Sequence, residues 1–473
     1  MPAFSTDRLR AILGQDPRPA RLWIAYSGGC DSHVLLHACV ALRATLEFTL
    51  SAIHIDHGLH PDAGTWARHC RAVCDQLDVE YHERKVQIDR APGESLEALA
   101  RTARQRVFAD CLGPGDWLAT AQHRDDQAET LLLALLRGSG VHGLAAMPAR
   151  APLGAGVLIR PLLGCAQADL RAYAEQHRLR WIEDPSNEDL GFDRNLLRHR
   201  IMPVLRQRWP SAATTIARSA SHCAEAAALI DTMADERLPT VAGSRPGTLS
   251  AARLSALAPE RARALLRRWL AQHGVRPPAA TRLETILSDV LSARADASPL
   301  VAWEGCELRR YRDDLFALAP LPSRPEGELR WDGRKPLRLP QGLGTLSLEV
   351  DDAGRAVSSQ WQPMRVCFGS SGVFGLPGVF GSPGLRCRRL NRPSRSLKHL
   401  FQQAGIPSWL RPYMPLLLDA QGELLAVAGV AGCGSAHPHP HLWQRLRWEG
   451  HPWTSFDCLS EPLEINLNPR REA

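Results

Sequence analysis

The segment over residues 22–32 reads LWIAYSGGCDS. Its apolar first half predicts a buried strand over residues 22–26, and the pattern that follows predicts a helix from Ser32 onward. A glycine-rich turn between a strand and a helix exposes backbone N–H groups, which favours binding of an anionic phosphate. An ordinary strand-to-helix turn with a serine or aspartate cap is the alternative. The predicted phosphate site consists of Ser27, Gly28, Gly29, Cys30, Asp31 and Ser32, with Asp31 also as a ligand of Mg²⁺.

The first 135 residues alternate strand-like apolar runs with amphipathic helical stretches. This order predicts an α/β domain with a doubly wound parallel sheet and helices on its faces. In such a sheet, ligands bind beyond the carboxyl ends of the strands. The predicted strands cover residues 22–26, 48–55, 80–86 and 117–121, and the predicted helices cover residues 32–43, 63–77, 95–111 and 125–136.

Beyond residue 160 the pattern becomes mainly helical, and it changes again near residue 320. Helix-favouring stretches cover residues 194–209, 212–238, 251–272 and 280–292. Proline and glycine accumulate over residues 320–341, and short strand-like runs follow. We therefore expect an α/β catalytic domain over residues 1–213, a helical middle domain over residues 214–320, and a linker with a small α+β domain over residues 321–473.

The composition excludes several classes of protein. With 473 residues, of which 44% are hydrophobic and 23% charged, the chain is neither collagen-like nor largely disordered. No apolar run approaches the roughly 20 residues that span a bilayer, and the charged N-terminal residues do not resemble a signal peptide. The 12 cysteines are irregularly spaced without a CxxC pair, which suits a reducing compartment. We expect a cytoplasmic protein that does not associate with membranes.

The net charge of +7 is unevenly distributed along the chain. Residues 385–415 contain seven basic residues and no acidic one, which indicates a surface that contacts nucleic-acid phosphates. The predicted helix over residues 194–209 has a basic edge of the same kind. In both places a solvated arginine-rich face is the alternative. The predicted RNA contacts are Arg388, Arg389, Arg392 and Lys398 in the C-terminal segment and Arg194 and Arg198 on the helix.

Several of these motifs resemble those of a known family. The Ser-Gly-Gly-x-Asp-Ser string resembles the phosphate loop of the ATP pyrophosphatase (PP-loop) superfamily. The strings HIDHGL at residues 54–59 and HRDDQAET at residues 123–130 resemble segments of the tRNA(Ile)-lysidine synthase family, as do residues 95–108, 137–147, 181–209, 396–409 and 424–430. The chain departs from that family's pattern at His60, Gln105 and Gln122.

The resemblance implies further site residues. His54 and Asp56, at the end of the second predicted strand, would line the ATP site, and Arg104 would lie in the active site. Asp126 and Glu129 are three residues apart at a helix start, so both carboxylates can face the cleft and hold the ammonium of lysine or a metal. Two acidic residues that complement the helix dipole are the alternative. The predicted catalytic residues are Asp31, Arg104, Asp126 and Glu129.

The resemblance implies a two-step ligation that uses ATP and Mg²⁺. The C2 carbonyl oxygen of the wobble cytidine in a CAU-anticodon tRNA(Ile) would attack the α-phosphorus of ATP, and the ε-amine of free L-lysine would then displace AMP to give lysidine. The nearest rival function is that of a tRNA thiolase on the same fold, and the missing CxxC pair counts against it. A small-molecule adenylating synthetase and a non-catalytic RNA-binding protein are two more distant rivals. A homodimer is compatible with the resemblance.

Overall fold

The computed structural model describes residues 4–14, 18–58, 60–87, 96–294, 297–348, 364–368, 386–387, 395–432 and 446–453. The chain divides into two compact units, Met1–Ile230 and Asp231–Ala473. Each unit has hydrophobic cores of its own. No helix within the described ranges is long and apolar enough to cross a membrane.

A mostly parallel sheet forms the centre of the first unit. Its strands are β1 (Arg21–Ala25), β2 (Thr49–Asp56), β3 (Glu80–Lys85), β4 (Trp117–Ala119), β5 (Arg150–Leu153) and β6 (Gly156–Ile159). Among the described residues the strand order is β3-β2-β1-β4-β6-β5. Of these described strands, β5 alone runs antiparallel to its neighbour, β6. The predicted doubly wound α/β architecture is confirmed, and the hairpin of β5 and β6 extends it beyond the sequence prediction.

Helices cover both faces of this sheet. The α-helices are α1 (Thr6–Leu13), α2 (Cys30–Leu46), α3 (Ala63–Gln76), α4 (Leu96–Cys111), α5 (Arg124–Leu136), α6 (Val141–Leu144), α7 (Gln167–Gln176), α8 (Asp193–Leu196), α9 (Met202–Arg208) and α10 (Ala212–Arg237), the last of which continues into the second unit. Alternate residues of β1 point to opposite faces. Leu22 and Ile24 join the core that contains Leu35 of α2, whereas Trp23 joins the core that contains Phe108 of α4. Because both faces are covered, β1 is apolar throughout its buried centre.

The helix predicted over residues 194–209 is interrupted in the structure. A π-helical turn, Leu197–Ile201, separates α8 from α9. Pro203 in the first turn of α9 has no N–H to donate, so the regular α-helical ladder cannot continue through it. Arg198, one of the predicted RNA contacts, lies in this π turn.

The second unit combines helices with antiparallel sheets. Its further α-helices are α11 (Ala251–Ser255), α12 (Pro259–Gln272), α13 (Ala280–Thr285) and α14 (Leu397–Gln403). Its strands are β7 (Leu249–Ser250), β8 (Leu300–Trp303), β9 (Cys306–Tyr311), β10 (Asp314–Leu318), β11 (Leu329–Trp331), β12 (Leu337–Arg338), β13 (Thr345–Leu348), β14 (Met364–Phe368), β15 (Arg386–Cys387), β16 (Arg395–Ser396), β17 (Pro415–Leu418), β18 (Leu424–Val427), β19 (Ala431–Gly432) and β20 (Leu446–Glu449). Within the described ranges the strand orders are β7-β10-β9-β8, β11-β14-β17-β18-β19, β12-β13-β20 and β15-β16.

The middle of the chain, predicted to be helical, also contains a sheet. Strands β8, β9 and β10 pair antiparallel and bury Leu308, Leu315 and Phe316. Each strand is only four to six residues long, so its alternation is too short to stand out in the sequence. The helix predicted over residues 251–272 is likewise divided, because α11 ends at Ser255 and α12 begins at Pro259, a favoured first residue. The predicted boundaries at residues 213 and 320 stay predictions.

Candidate active site

The turn after β1 lies very close to two other segments. Gly28 has a φ of +87°, which residues with a Cβ rarely adopt. A Cβ at Gly28 would lie 2.9 Å from Cys70 Sγ and 2.9 Å from Ile182 Cδ1. The Ile182 N–H also donates to the Gly28 carbonyl at 2.9 Å. Both the backbone conformation and the space therefore require glycine at this position.

The N-terminus of α2 completes this turn. Gly29 is the N-cap residue, and the first N–H groups of the helix have no intrahelical acceptor. The hydroxyl oxygens of Ser27 and Ser32 lie 3.0 Å apart, and the Ser32 hydroxyl donates to the Gly29 carbonyl at 3.0 Å. Burial raises the pKa of the Cys30 thiol to about 11, so Cys30 brings no negative charge to the turn near neutral pH. This combination of N–H and hydroxyl groups suits a bound phosphate.

A buried histidine connects this turn with the segment after β4. The side chain of His123, the N-cap residue of α5, is 2% exposed. Its Nε2 lies 3.6 Å from Asp31 Oδ2 and 3.4 Å from Asp126 Oδ2. Burial lowers the pKa of His123, but the hydrogen bond to Asp31 and the charges of Asp126, Asp31 and Asp125 outweigh burial, so the pKa is raised. Two predicted catalytic carboxylates thus face one imidazole edge.

Asp126 and Glu129 lie together at the start of α5, in contact with two arginines. Arg198 donates from Nε and Nη2 to Glu129 at 2.8 and 2.9 Å, and from Nη2 to Asp126 Oδ1 at 2.8 Å. Arg194 Nε lies 3.2 Å from Glu129 Oε2. Burial lowers the pKa of Arg198, but its hydrogen bond to Glu129 and the nearby carboxylates raise the pKa overall. These contacts hold the carboxylates of Asp126 and Glu129 together on one guanidinium group.

The same contacts change the interpretation of the two arginines. From the sequence, Arg194 and Arg198 belong to a basic helix edge that contacts RNA. In the structure their guanidinium groups lie on the carboxylates of α5, and Arg194 also donates to Thr130 Oγ1 at 2.7 Å. Both side chains therefore pair with acidic residues of α5, and contacts of Arg194 and Arg198 with tRNA stay predictions.

The last residues of β2 lie next to the end of β1. His54 is buried, and its Nδ1 donates to the Tyr26 carbonyl at 2.9 Å. Asp56 is also buried, and its Oδ1 accepts the Gly58 N–H at 2.8 Å. Arg104 on α4 is exposed and lies near His57, whose pKa is lowered by burial and by the charge of Arg104. The structure thus brings these residues to the edge of the sheet that carries the phosphate turn, and their contacts with ATP stay predictions.

Asp31 has the features of a Mg²⁺ ligand. Its Oδ1 is buried and has no hydrogen-bond partner among the residues that the structure describes. An unsatisfied carboxylate oxygen suits Mg²⁺, which is usually held by one or two carboxylates together with substrate phosphates. The described part of the chain contains no group of three or more His, Cys, Asp or Glu residues that could hold a metal. A single open carboxylate oxygen beside the phosphate turn fits an ion that is shared with a phosphate substrate.

Two residues that build the site have no role in the sequence analysis. His123 comes a few residues after β4, and its place at the carboxyl edge of a parallel sheet is a signal that could have found it. Ile182 packs on the phosphate turn from a distant loop, and no local sequence signal indicates that contact. The positions of both residues in the site depend on which strands become neighbours in the folded sheet.

The predicted RNA contacts of the C-terminal segment are only partly described. Lys398 is exposed in the first turn of α14. Arg388, Arg389 and Arg392 lie outside the described residues. Contacts of these four residues with tRNA stay predictions.

The parallel sheet and the SGGCDS turn between β1 and α2 define a PP-loop enzyme that uses ATP. Family models match the chain in three places: a PP-loop domain at residues 4–205, a TilS substrate binding domain at residues 249–316, and a TilS substrate C-terminal domain at residues 379–448. These matches cover parts of both units.

Full-length relatives make the assignment more specific. The chain is 45% identical to the tRNA(Ile)-lysidine synthase of Alkalilimnicola ehrlichii, covering 86% of this chain and 89% of the relative. It is 39% identical to the enzyme of the same name from Coxiella burnetii, covering 93% of this chain and 95% of the relative. A solved structure of a U34-tRNA thiolase from Methanococcus maripaludis is similar at 19% identity with a TM-score of 0.39, covering 46% of this chain and 78% of that chain. The chain belongs to the tRNA(Ile)-lysidine synthase family and is an ATP-dependent ligase.

Proposed function

We propose that the protein ligates free L-lysine to C2 of the wobble cytidine in a CAU-anticodon tRNA(Ile). In the first step, the C2 carbonyl oxygen attacks the α-phosphorus of ATP and pyrophosphate leaves. In the second step, the ε-amine of lysine bonds to C2 and loses a proton. The bond between C2 and the former carbonyl oxygen breaks, and that oxygen leaves as part of the phosphate of AMP. The observation that carries this proposal is the convergence of Asp31 and Asp126 on His123, at 3.6 and 3.4 Å. This convergence places the phosphate turn and the carboxylates of α5 in one site.

The phosphate turn has the groups that the first step requires. The N–H groups at the start of α2 and the hydroxyls of Ser27 and Ser32 would bind the phosphates of ATP. Asp31 Oδ1 would hold Mg²⁺, which when bound stabilises negative charge on the phosphates. His123 lies between Asp31 and Asp126. Burial lowers its pKa, but the hydrogen bond to Asp31 and the nearby carboxylates raise the pKa overall, which favours the protonated form in contact with both carboxylates.

The carboxylates of α5 have the charge that the second step requires. Asp126 and Glu129 would orient the lysine through its ammonium group, since each carboxylate can accept more hydrogen bonds than its arginine partner supplies. Arg198 positions both carboxylates, and Arg104 would lie beside the activated base. A sulfur-transferring thiolase is less well supported, since the sequence has no CxxC pair and the relatives are lysidine synthases.

The second unit is proposed to bind the tRNA. The substrate binding and C-terminal family matches both fall in it, and it contains the exposed Lys398 and the basic segment with Arg388, Arg389 and Arg392. In terms of the predicted domains, residues 1–213 would carry out the chemistry, and residues 214–320 and 321–473, which include the second unit, would bind tRNA. We further propose that the enzyme works in the cytoplasm, apart from membranes. A homodimer stays a prediction.

The first step can be tested apart from the second. We expect label from [α-³²P]ATP to appear on CAU-anticodon tRNA(Ile) when lysine is withheld, and to leave as AMP when lysine is added. The same tRNA with uridine at the wobble position should acquire no label. Label on both tRNAs would contradict adenylation of the wobble base.

A further inference from the structure

A buried arginine follows β6 at the edge of the sheet that carries the active site. Arg160 is 8% exposed and comes directly after Ile159, the last residue of β6. Strand β6 is the neighbour of β4, and the segment after β4 supplies Asp126 and Glu129. Arg160 therefore lies on the ligand-binding edge of a parallel sheet, one strand away from the acidic residues of the site.

The guanidinium of Arg160 lacks a negatively charged partner among the described residues. Its Nη1 donates to the Pro148 carbonyl at 2.7 Å, whereas its Nε is buried without a hydrogen-bond partner in the described part of the chain. Arg194 and Arg198, on the same unit, each contact a carboxylate. A buried cation without a counter-charge is costly, so a position of this kind favours an anion that the protein does not supply.

Nearby positive charges increase the need of Arg160 for a negatively charged partner. The pKa of Arg160 is lowered by burial and then by the positive charge of Arg101 on α4. On the same helix, Arg104 lowers the pKa of His57 after burial. Arg101 and Arg104 thus place positive charge near Arg160 and His57, whereas the start of α5 is acidic. A ligand with a cationic group and an anionic group would match both sides.

The position of Arg160 indicates which anion it binds. A planar guanidinium can form two parallel hydrogen bonds with a carboxylate or with a phosphate. Strand β6 lies beside β4, which leads to the acidic start of α5, and two strands away from β1, which leads to the phosphate turn, so the position favours a carboxylate on the ligand whose ammonium binds at α5. Adjacent strands are about 5 Å apart, which is within the length of one amino acid molecule. We propose that Arg160 binds the α-carboxylate of the substrate L-lysine and thereby selects the amino acid over amines of similar length. This inference rests on the proposed function.

The test compares lysine with a diamine that lacks the carboxylate. We would measure the KM for L-lysine and the inhibition constant of 1,5-diaminopentane, as a competitor of lysine, for the wild type and for Arg160→Gln. Loss of a charge-assisted pair should raise the KM for lysine about 10- to 100-fold. The inhibition constant of the diamine should change less than about twofold, because the diamine never contacts Arg160. Arg106→Gln, at an exposed position on α4, is the matched control and should change neither value.

Two further measurements separate this role from a structural one. Arg160→Lys keeps the charge and should recover part of the affinity for lysine, and transfer of label from ATP to tRNA without lysine should match the wild type in both Arg160 variants. An equal increase for lysine and the diamine would overturn the proposal. So would a weaker tRNA affinity with a smaller salt dependence, or a loss of label transfer, because the anion would then be a phosphate. Failure of the wild type to incorporate lysine would instead refute the proposed function itself.

Discussion

His123 Nε2 lies 3.6 Å from Asp31 Oδ2, so the residue that caps α5 contacts the first turn of α2. The contact arises because β1 lies between β2 and β4 in the sheet. The chain leaves β1 toward β2 and returns on the other side at β4, which opens a crevice at the carboxyl ends of these strands. The phosphate turn and the acidic start of α5 face each other across that crevice.

Loss of either carboxylate that contacts His123 should abolish the ligation of lysine without affecting tRNA binding. Asp31→Ala removes the proposed Mg²⁺ ligand, and Asp126→Ala removes a group that orients lysine. We expect at least about a 100-fold loss in lysine incorporation for each variant. Filter-binding measurements should give tRNA dissociation constants within about threefold of the wild-type value. A parallel loss of tRNA binding in both variants would contradict the division between a catalytic unit and a tRNA-binding unit.

Two adjacent glycines should differ in their tolerance of a methyl group. Gly28→Ala places a Cβ 2.9 Å from Cys70 Sγ in a left-handed backbone conformation, so it should lower the free energy of unfolding by about 1 to 3 kcal/mol. Gly29→Ala is the matched control, because a Cβ there meets Ser27 Oγ at an ordinary 3.5 Å. Thermal unfolding of the two variants measures the difference. Equal destabilisation would show that the close approach of Cys70 and Ile182 does not constrain the turn.

The raised pKa of His123 should appear in the pH dependence of stability. A histidine whose pKa is higher in the folded state stabilises that state fully below its unfolded value of about 6.5, and the contribution is lost as pH rises through the folded pKa. His123→Asn can keep the helix cap but cannot be protonated. The stability advantage of the wild type over this variant should therefore shrink as pH increases above about 6.5.

Denaturant unfolding at several pH values measures this advantage. His222→Asn, at an exposed position on α10, is the matched control. An advantage of the wild type over His123→Asn that grows with pH would show that burial dominates and that His123 is neutral in the folded protein.

Neutralising three arginines of the C-terminal segment should weaken tRNA binding in a salt-dependent manner. For the combined Arg388→Gln, Arg389→Gln and Arg392→Gln variant, we expect the slope of log K against log salt concentration to decrease by about 2 to 3, since each lost phosphate contact removes nearly one counterion. A variant with Arg68, Arg84 and Arg106 changed to Gln, all exposed in the first unit, controls for total charge. An unchanged slope would show that the segment is only solvated.

The sequence predicts the local segments that form the site better than it predicts the contacts between those segments. The turn over residues 27–32 and the helix start with Asp126 are local patterns, and both lie at the sheet edge where they were expected. Arg194 and Arg198 contact carboxylates that lie about 70 residues earlier in the chain, which helix periodicity cannot show. The contact of Ile182 with Gly28 and the burial of Arg160 are likewise set by tertiary packing. The sheet of β8 to β10 is missing from the prediction because its strands are short.

The most direct test of the proposed function is ATP-dependent incorporation of radiolabelled lysine into unmodified CAU-anticodon tRNA(Ile), beside the same tRNA with its wobble cytidine changed. We predict incorporation into the first tRNA only, with one AMP and one pyrophosphate released for each lysine bound. Pyrophosphate release without incorporation of lysine would contradict the assignment of the nucleophile. Equal incorporation into both tRNAs would contradict the assignment of the modified base.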